Sequence, residues 1–148
     1  MVMKKFMNDP ADLTPELMEG YAAAFSNKVK LVNGKTVCRV VEKSADKVAL
    51  VTLGGAGHEP ALSGFVGEGM LDMSVVGDVF AAPGPPSVYM ALKAAAEKHV
   101  GVLFIVLNHA GDVMSAKMAM DMLENDGLAG KVKVVTTHED IAPGADTP

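Results

Sequence analysis

Three runs of aliphatic and β-branched residues, 48–53, 100–107 and 132–136, do most to limit what this chain can fold into. Each has the length of a strand, and none keeps the strict alternation of a half-exposed one. Strands of this kind are buried on both faces, which is the usual condition of a parallel sheet covered by helices. Helix candidates lie where such a sheet needs them. Pro86–Lys98 leads into the run at 100, and Val113–Asn125 separates that run from the last one. The expected fold class is therefore α/β, a largely parallel β-sheet flanked by helices. At 148 residues and 49% hydrophobic, the chain is the size of one domain and can bury a real core.

The segment before the first run reads differently. Asp12–Phe25 reads as a helix, with Thr14 as N-cap and Pro15 at the first helical position. Leu17, Met18, Tyr21 and Phe25 then share one face. Asn33-Gly34 is a hairpin turn between 29–32 and 36–41. Gly77–Pro86 reads as a stiff loop in which Asp78 is a turn carboxylate, and 142–148 reads as a loop or tail.

Composition excludes several classes. The net charge is −5 and the lysines are scattered, so no nucleic-acid surface is expected. No apolar run approaches the roughly 18 residues that span a bilayer, and Met1–Lys5 has no apolar stretch after it, as a signal peptide would. One cysteine, Cys38, cannot form an internal disulfide; it reads as a small buried hydrophobe in a reducing compartment, and a cytoplasmic location is expected. His138-Glu139-Asp140 follows the last strand, but no His-x-x-x-His or cysteine pair supports a metal, and none is assigned. His99, between a helix and a strand, is expected to be exposed.

Ligands of parallel sheets gather at the carboxyl ends of the strands, and two of these ends are unusual here. The first is Gly54-Gly55-Ala56-Gly57-His58-Glu59-Pro60. Small residues let backbone approach a ligand, successive N–H groups can face its oxygens, and His58 can exchange a proton near neutral pH. A plain tight turn fits the same residues equally well. No Gly-Lys-Ser/Thr follows and the G-x-G-x-x-G spacing is absent, so direct nucleotide binding is not expected. The second is Asn108-His109-Ala110-Gly111-Asp112, where Asp112 can accept a hydroxyl hydrogen bond or cap the next helix.

These two loops, in this order, resemble the substrate-binding (K) subunit of dihydroxyacetone kinases. The similarity also takes in Asn8-Asp9-Pro10, 47–51, Gly64–Met70, Gly77–Ala81, 101–106, Gly111–Met114 and 138–142, and so covers essentially the whole chain. The resemblance implies a single α/β domain over 1–148, equivalent to the N-terminal part of that subunit, that binds a small ketose for phosphorylation. It implies that Gly54, Gly55, Ala56 and Gly57 offer backbone contacts, with Asn108 and His109 beside the substrate. It also implies that His58 hydrogen-bonds the sugar and assists as a base, and that Asp112 binds and helps activate the accepting hydroxyl. The resemblance implies that no cofactor is bound directly and that ATP or ADP with Mg²⁺ sits on a separate nucleotide-bearing (L) subunit, recharged in some bacteria from phosphoenolpyruvate.

Three departures from the family pattern bear on chemistry. Ala56 stands where GGGSGHEP has serine. Leu107 and His109 stand where KNYTGD has lysine and tyrosine, so a positive charge is missing. The histidine that holds the ketone carbon as a hemiaminal belongs to the second half of full-length members, and none of His58, His99, His109 or His138 occupies its place. The expectation is a split or truncated subunit, the split form favoured, that pairs with a second-half K chain through an exposed apolar edge and is oligomeric. A non-catalytic ketose-binding regulator of transcription is the alternative, and a kinase for a tetrulose is a third possibility.

Overall fold

The structure is a computed structural model and describes residues 4–138. Six strands form one sheet: β1 (Val29–Val32), β2 (Thr36–Arg39), β3 (Val48–Ala56), β4 (Met73–Val79), β5 (Gly101–Val106) and β6 (Val132–Thr136). Their order is β1-β2-β4-β3-β5-β6. β4, β3, β5 and β6 run parallel, and β1 and β2 add an antiparallel hairpin at one edge. The expected α/β sheet is thus present, mostly parallel, with its hairpin turning at Asn33 and Gly34, both at positive φ.

Three helices cover the sheet: α1 (Leu13–Ala24), α2 (Pro85–Lys98) and α3 (Ala110–Asn125). On one face Ala49, Val51 and Leu53 of β3 and Val102, Phe104 and Val106 of β5 pack against Val88, Leu92 and Ala95 of α2 and Ala116, Ala119 and Leu123 of α3. On the other, Met18 of α1 packs on Val29, Val37, Ala56, Val66, Leu71 and Val76. The central strands are buried on both sides, which is why their sequences do not alternate.

A buried carboxylate ties the hairpin to the parallel sheet. Asp72 accepts hydrogen bonds from Lys43 Nζ at 2.6 Å, the Leu50 amide at 2.7 Å and Arg39 Nη1 at 3.1 Å. Burial pushes its pKa up, but these donors together outweigh it and hold the carboxyl below the usual aspartate range.

Five local expectations are corrected. The residues from Met73 to Val79 are a central strand, so Asp78 lies at a strand end and not within a stiff loop. The run there is short and interrupted by Gly77, which weakens its strand signature. Helix α1 begins at Leu13, after a 3₁₀ turn over Pro10–Asp12 whose cap is Asp9, accepting from the Ala11 amide at 2.8 Å. Thr14 is therefore inside the helix and buried, not its N-cap. Helix α3 begins at Ala110, earlier than the apolar periodicity suggests. His99 is only 6% exposed, because its ring lies against the 40–47 segment with Nδ1 3.3 Å from the Ser44 carbonyl. Cys38 is buried, as its place in a hairpin strand suggests. Among the described residues no helix is long and apolar enough to cross a membrane.

Candidate functional site

The glycine-rich segment is only partly a loop. Gly54, Gly55 and Ala56 continue β3, with a register shift between Gly55 and Ala56, so that Gly55 pairs with Gly77 and Ala56 with Val79 of β4. The chain after β4 folds back over these ends. A Cβ on Gly55 would lie 2.7 Å from the Ala81 nitrogen, and one on Gly77 would lie 2.1 Å from the Ala81 oxygen. Only glycine admits so close a backbone approach, so both strands must carry it at this level.

Past the strand, the Gly57 amide donates to Glu59 Oε2 at 2.9 Å, which closes a small turn and presents His58 to solvent. Ala56 points its methyl group into the α1-side core and is fully buried.

The end of β5 supplies the opposite wall. His109 is the N-cap residue of α3, and Asp112 lies in that helix's first turn. A carboxylate there interacts favourably with the positive end of the helix dipole. Asp112 is 7% exposed, while His109 is exposed. The helix itself is held by Ser115, whose hydroxyl donates to the Pro83 carbonyl at 2.7 Å.

Gly54, Gly55, His58, Ala61, Leu62, Leu107, His109 and Asp112 together line a cavity of about 300 Å³ between the ends of β3 and β5. This is at the small end of ligand sites, which suits a small polar molecule. Five of the expected site residues, Gly54, Gly55, His58, His109 and Asp112, meet there, together with Leu107. Ala56, Gly57 and Asn108 do not line it. Asn108 Nδ2 instead lies 3.4 Å from His138 Nδ1, and Glu139 and Asp140 fall outside the described residues.

Ala61 and Leu62 escaped sequence reasoning. The Leu62 side chain approaches Gly54, 3.2 Å from where a Cβ would stand, and closes the cavity's apolar side. Another hollow of about 250 Å³ lies between the hairpin and α2. Its buried carboxylate, Asp72, is already bound by two cations and an amide, so it offers no comparable acceptor. Among the described residues no group of three or more His, Cys, Asp or Glu side chains is placed to hold a metal ion.

An imidazole and a buried carboxylate converging on a small cavity at the carboxyl ends of parallel strands define an α/β domain built to hold a small ligand. The chain belongs to the Dak1 domain family, whose model matches residues 19–147. It is 41% identical over 140 residues to the dihydroxyacetone-binding subunit DhaK of PTS-dependent dihydroxyacetone kinase 1 from Listeria innocua, covering 95% of this chain and 42% of that one. The structure is similar to that of the dihydroxyacetone kinase of C. freundii, with a TM-score of 0.84, 30% identity, and coverage of 99% of this chain and 28% of the other. It is also similar to the dihydroxyacetone kinase operon co-activator Dha-DhaQ, with a TM-score of 0.77, 26% identity, and coverage of 86% of this chain and 38% of the other. The chain thus spans less than half the length of these relatives.

Proposed function

We propose that this chain binds dihydroxyacetone or a closely related short-chain ketose and takes part in its phosphorylation. The observation that carries this reading is the convergence of His58 and Asp112, from two separate strand ends, on one small cavity. A ketose offers hydroxyl hydrogens to acceptors and a carbonyl oxygen to donors. Asp112 accepts from the hydroxyl that is to receive phosphate, and backbone N–H groups near Gly54 and Gly55 face the sugar oxygens. His58 hydrogen-bonds another oxygen of the substrate and assists as a base while Asp112 takes that hydroxyl proton. The hydroxyl oxygen bonds to phosphorus as the phosphorus–oxygen bond to the donor breaks, its electron pair leaving with the donor. Phosphoryl transfer asks little covalent chemistry of a protein; alignment and charge stabilisation supply most of the catalysis.

In this reading the donor is carried elsewhere. ATP or ADP with Mg²⁺ sits on a nucleotide-bearing L subunit, directly or within a phosphoenolpyruvate-fed relay. A further K-subunit portion completes the ketose site, and the assembly is oligomeric and cytoplasmic. The relatives' greater length supports a missing portion of this kind.

One observation favours a second reading. Leu107 gives the cavity an apolar wall where the family pattern has a lysine, and the similar proteins include an operon co-activator. A ketose-binding regulator keeps the ligand contacts and dispenses with charge for an arriving phosphate.

The test is dihydroxyacetone binding by titration calorimetry, followed by transfer assays with the L subunit and the remaining K portion. His58→Ala and Asp112→Asn are each expected to weaken binding about tenfold or more, the loss of a hydrogen bond to a charged or strongly polar group. Turnover left intact by both substitutions would sink the assigned roles, and binding without transfer in every combination would establish the regulatory reading.

A further inference from the structure

The imidazole of His58 makes no hydrogen bond among the described residues, and its one aromatic neighbour there is Phe80. The two ring centroids are 5.0 Å apart with the planes tilted by 57°. A histidine that works as an acceptor at a defined point is ordinarily oriented through its second nitrogen, by a carboxylate or carbonyl. Here a ring stands against it instead.

Phe80 is placed for that contact at evident cost. It is 72% exposed, the condition a large aromatic side chain least favours. Its φ is +55°, a backbone region that non-glycine residues seldom occupy. What holds it there is the end of β3: the Phe80 amide donates to the Ala56 carbonyl at 2.8 Å, and the Ala81 amide closes a turn onto Asp78.

Gly57 has the complementary shape. Its φ is +96°, and a Cβ there would lie 2.8 Å from Phe80 Cε1 and 3.2 Å from Val79 Cγ1. Space for the phenyl ring exists only because residue 57 lacks a side chain. Gly57 does not line the cavity, so its positive φ and the ring, rather than a ligand, account for glycine there.

We infer that Phe80 is a positioning residue: its ring, seated against Gly57, fixes the plane of the His58 imidazole so that one nitrogen faces the cavity. The ring acts through His58 and does not itself line the pocket. A tilted aromatic pair resists rotation about the histidine's outer torsion, which would otherwise be broad. The inference rests on the reading of His58 as the ketose's hydrogen-bond partner.

The experiment uses the full chain with Phe80→Leu, Phe80→Tyr and His58→Gln. Heteronuclear spectra of the histidine rings are recorded, with His58 assigned by its loss in H58Q, and dihydroxyacetone affinity is titrated. In wild type and F80Y the His58 ring protons carry an aromatic ring-current shift; in F80L that shift is lost. Affinity falls about 3- to 10-fold in F80L and is restored in F80Y, the range a tilted ring pair supports. Unchanged His58 shifts in F80L would overturn the inference. So would weakened binding that F80Y fails to restore, since Phe80 would then be touching the ligand itself. Failure of wild type to bind dihydroxyacetone, with the F80L shift change intact, would remove the functional reading but leave the Phe80–His58 coupling in place.

Discussion

Ser115 donates its hydroxyl hydrogen to the carbonyl of Pro83 at 2.7 Å, and both groups are buried. The bond fastens the first turns of α3, which carry Asp112, to the loop that folds over Gly55 and Gly77. Ser115→Ala leaves a buried carbonyl without its partner, a loss of about 1–3 kcal/mol. The urea midpoint is expected to fall with the m-value unchanged, because the surface exposed on unfolding is nearly the same.

Asp72 contributes a pH-dependent part of the stability. Its carboxyl is held below the usual aspartate value despite burial, because Lys43, the Leu50 amide and Arg39 all donate to it. A depressed folded-state pKa contributes stability above the unfolded value, about 3.9, and that contribution disappears as pH falls through the folded value. Unfolding free energy measured from pH 6 downward should drop in wild type and show a flatter profile in Asp72→Asn. Asp72→Ala, which abandons two cations at a buried site, is expected to cost about 3–5 kcal/mol at neutral pH.

How much of this was legible depended on whether a signal was local. The strands at 48, 101 and 132 declare themselves because both-face burial writes itself into consecutive residues. The strand from Met73 to Val79 does not, since Gly77 is set by the approach of Ala81, a contact invisible along the chain. His99 looked solvent-facing from its neighbours in sequence; the 40–47 segment that covers it is distant in sequence. At the site, the motif residues His58 and Asp112 announced themselves chemically. Leu62 did not, because an apolar residue in a loop has no pattern of its own. Ala56 was legible as a motif position, but its inward direction is decided by the core around Met18.

Cys38 is expected to be a poor nucleophile in the folded protein. Burial pushes its thiol up to about 11, with Lys30 offsetting only part of the effect. A thiol reacts as thiolate, so at pH 8 its reaction with a disulfide reagent should be slower than in the unfolded chain by on the order of 100-fold. Stopped-flow absorbance in buffer and in urea checks this. Equal rates in both would mean that β2 opens readily from the sheet.

Leu107 is the substitution that separates the two functional readings. It lines the same cavity as His58 and Asp112, directly after β5, and is half-buried. A neutral ketose gains little from a cation at this position, whereas a phosphoryl group carries negative charge that a cation stabilises as transfer proceeds. Leu107→Lys is therefore expected to leave dihydroxyacetone affinity within about twofold and to raise phosphoryl transfer by roughly tenfold, one hydrogen bond to a charged group. Calorimetry reads the first quantity and a transfer assay with the complementary subunits reads the second. A gain in transfer means that the chain is a kinase component working without this charge. Unchanged affinity with no transfer in either variant means that the cavity serves recognition, and that Leu107 marks a site where phosphate never arrives.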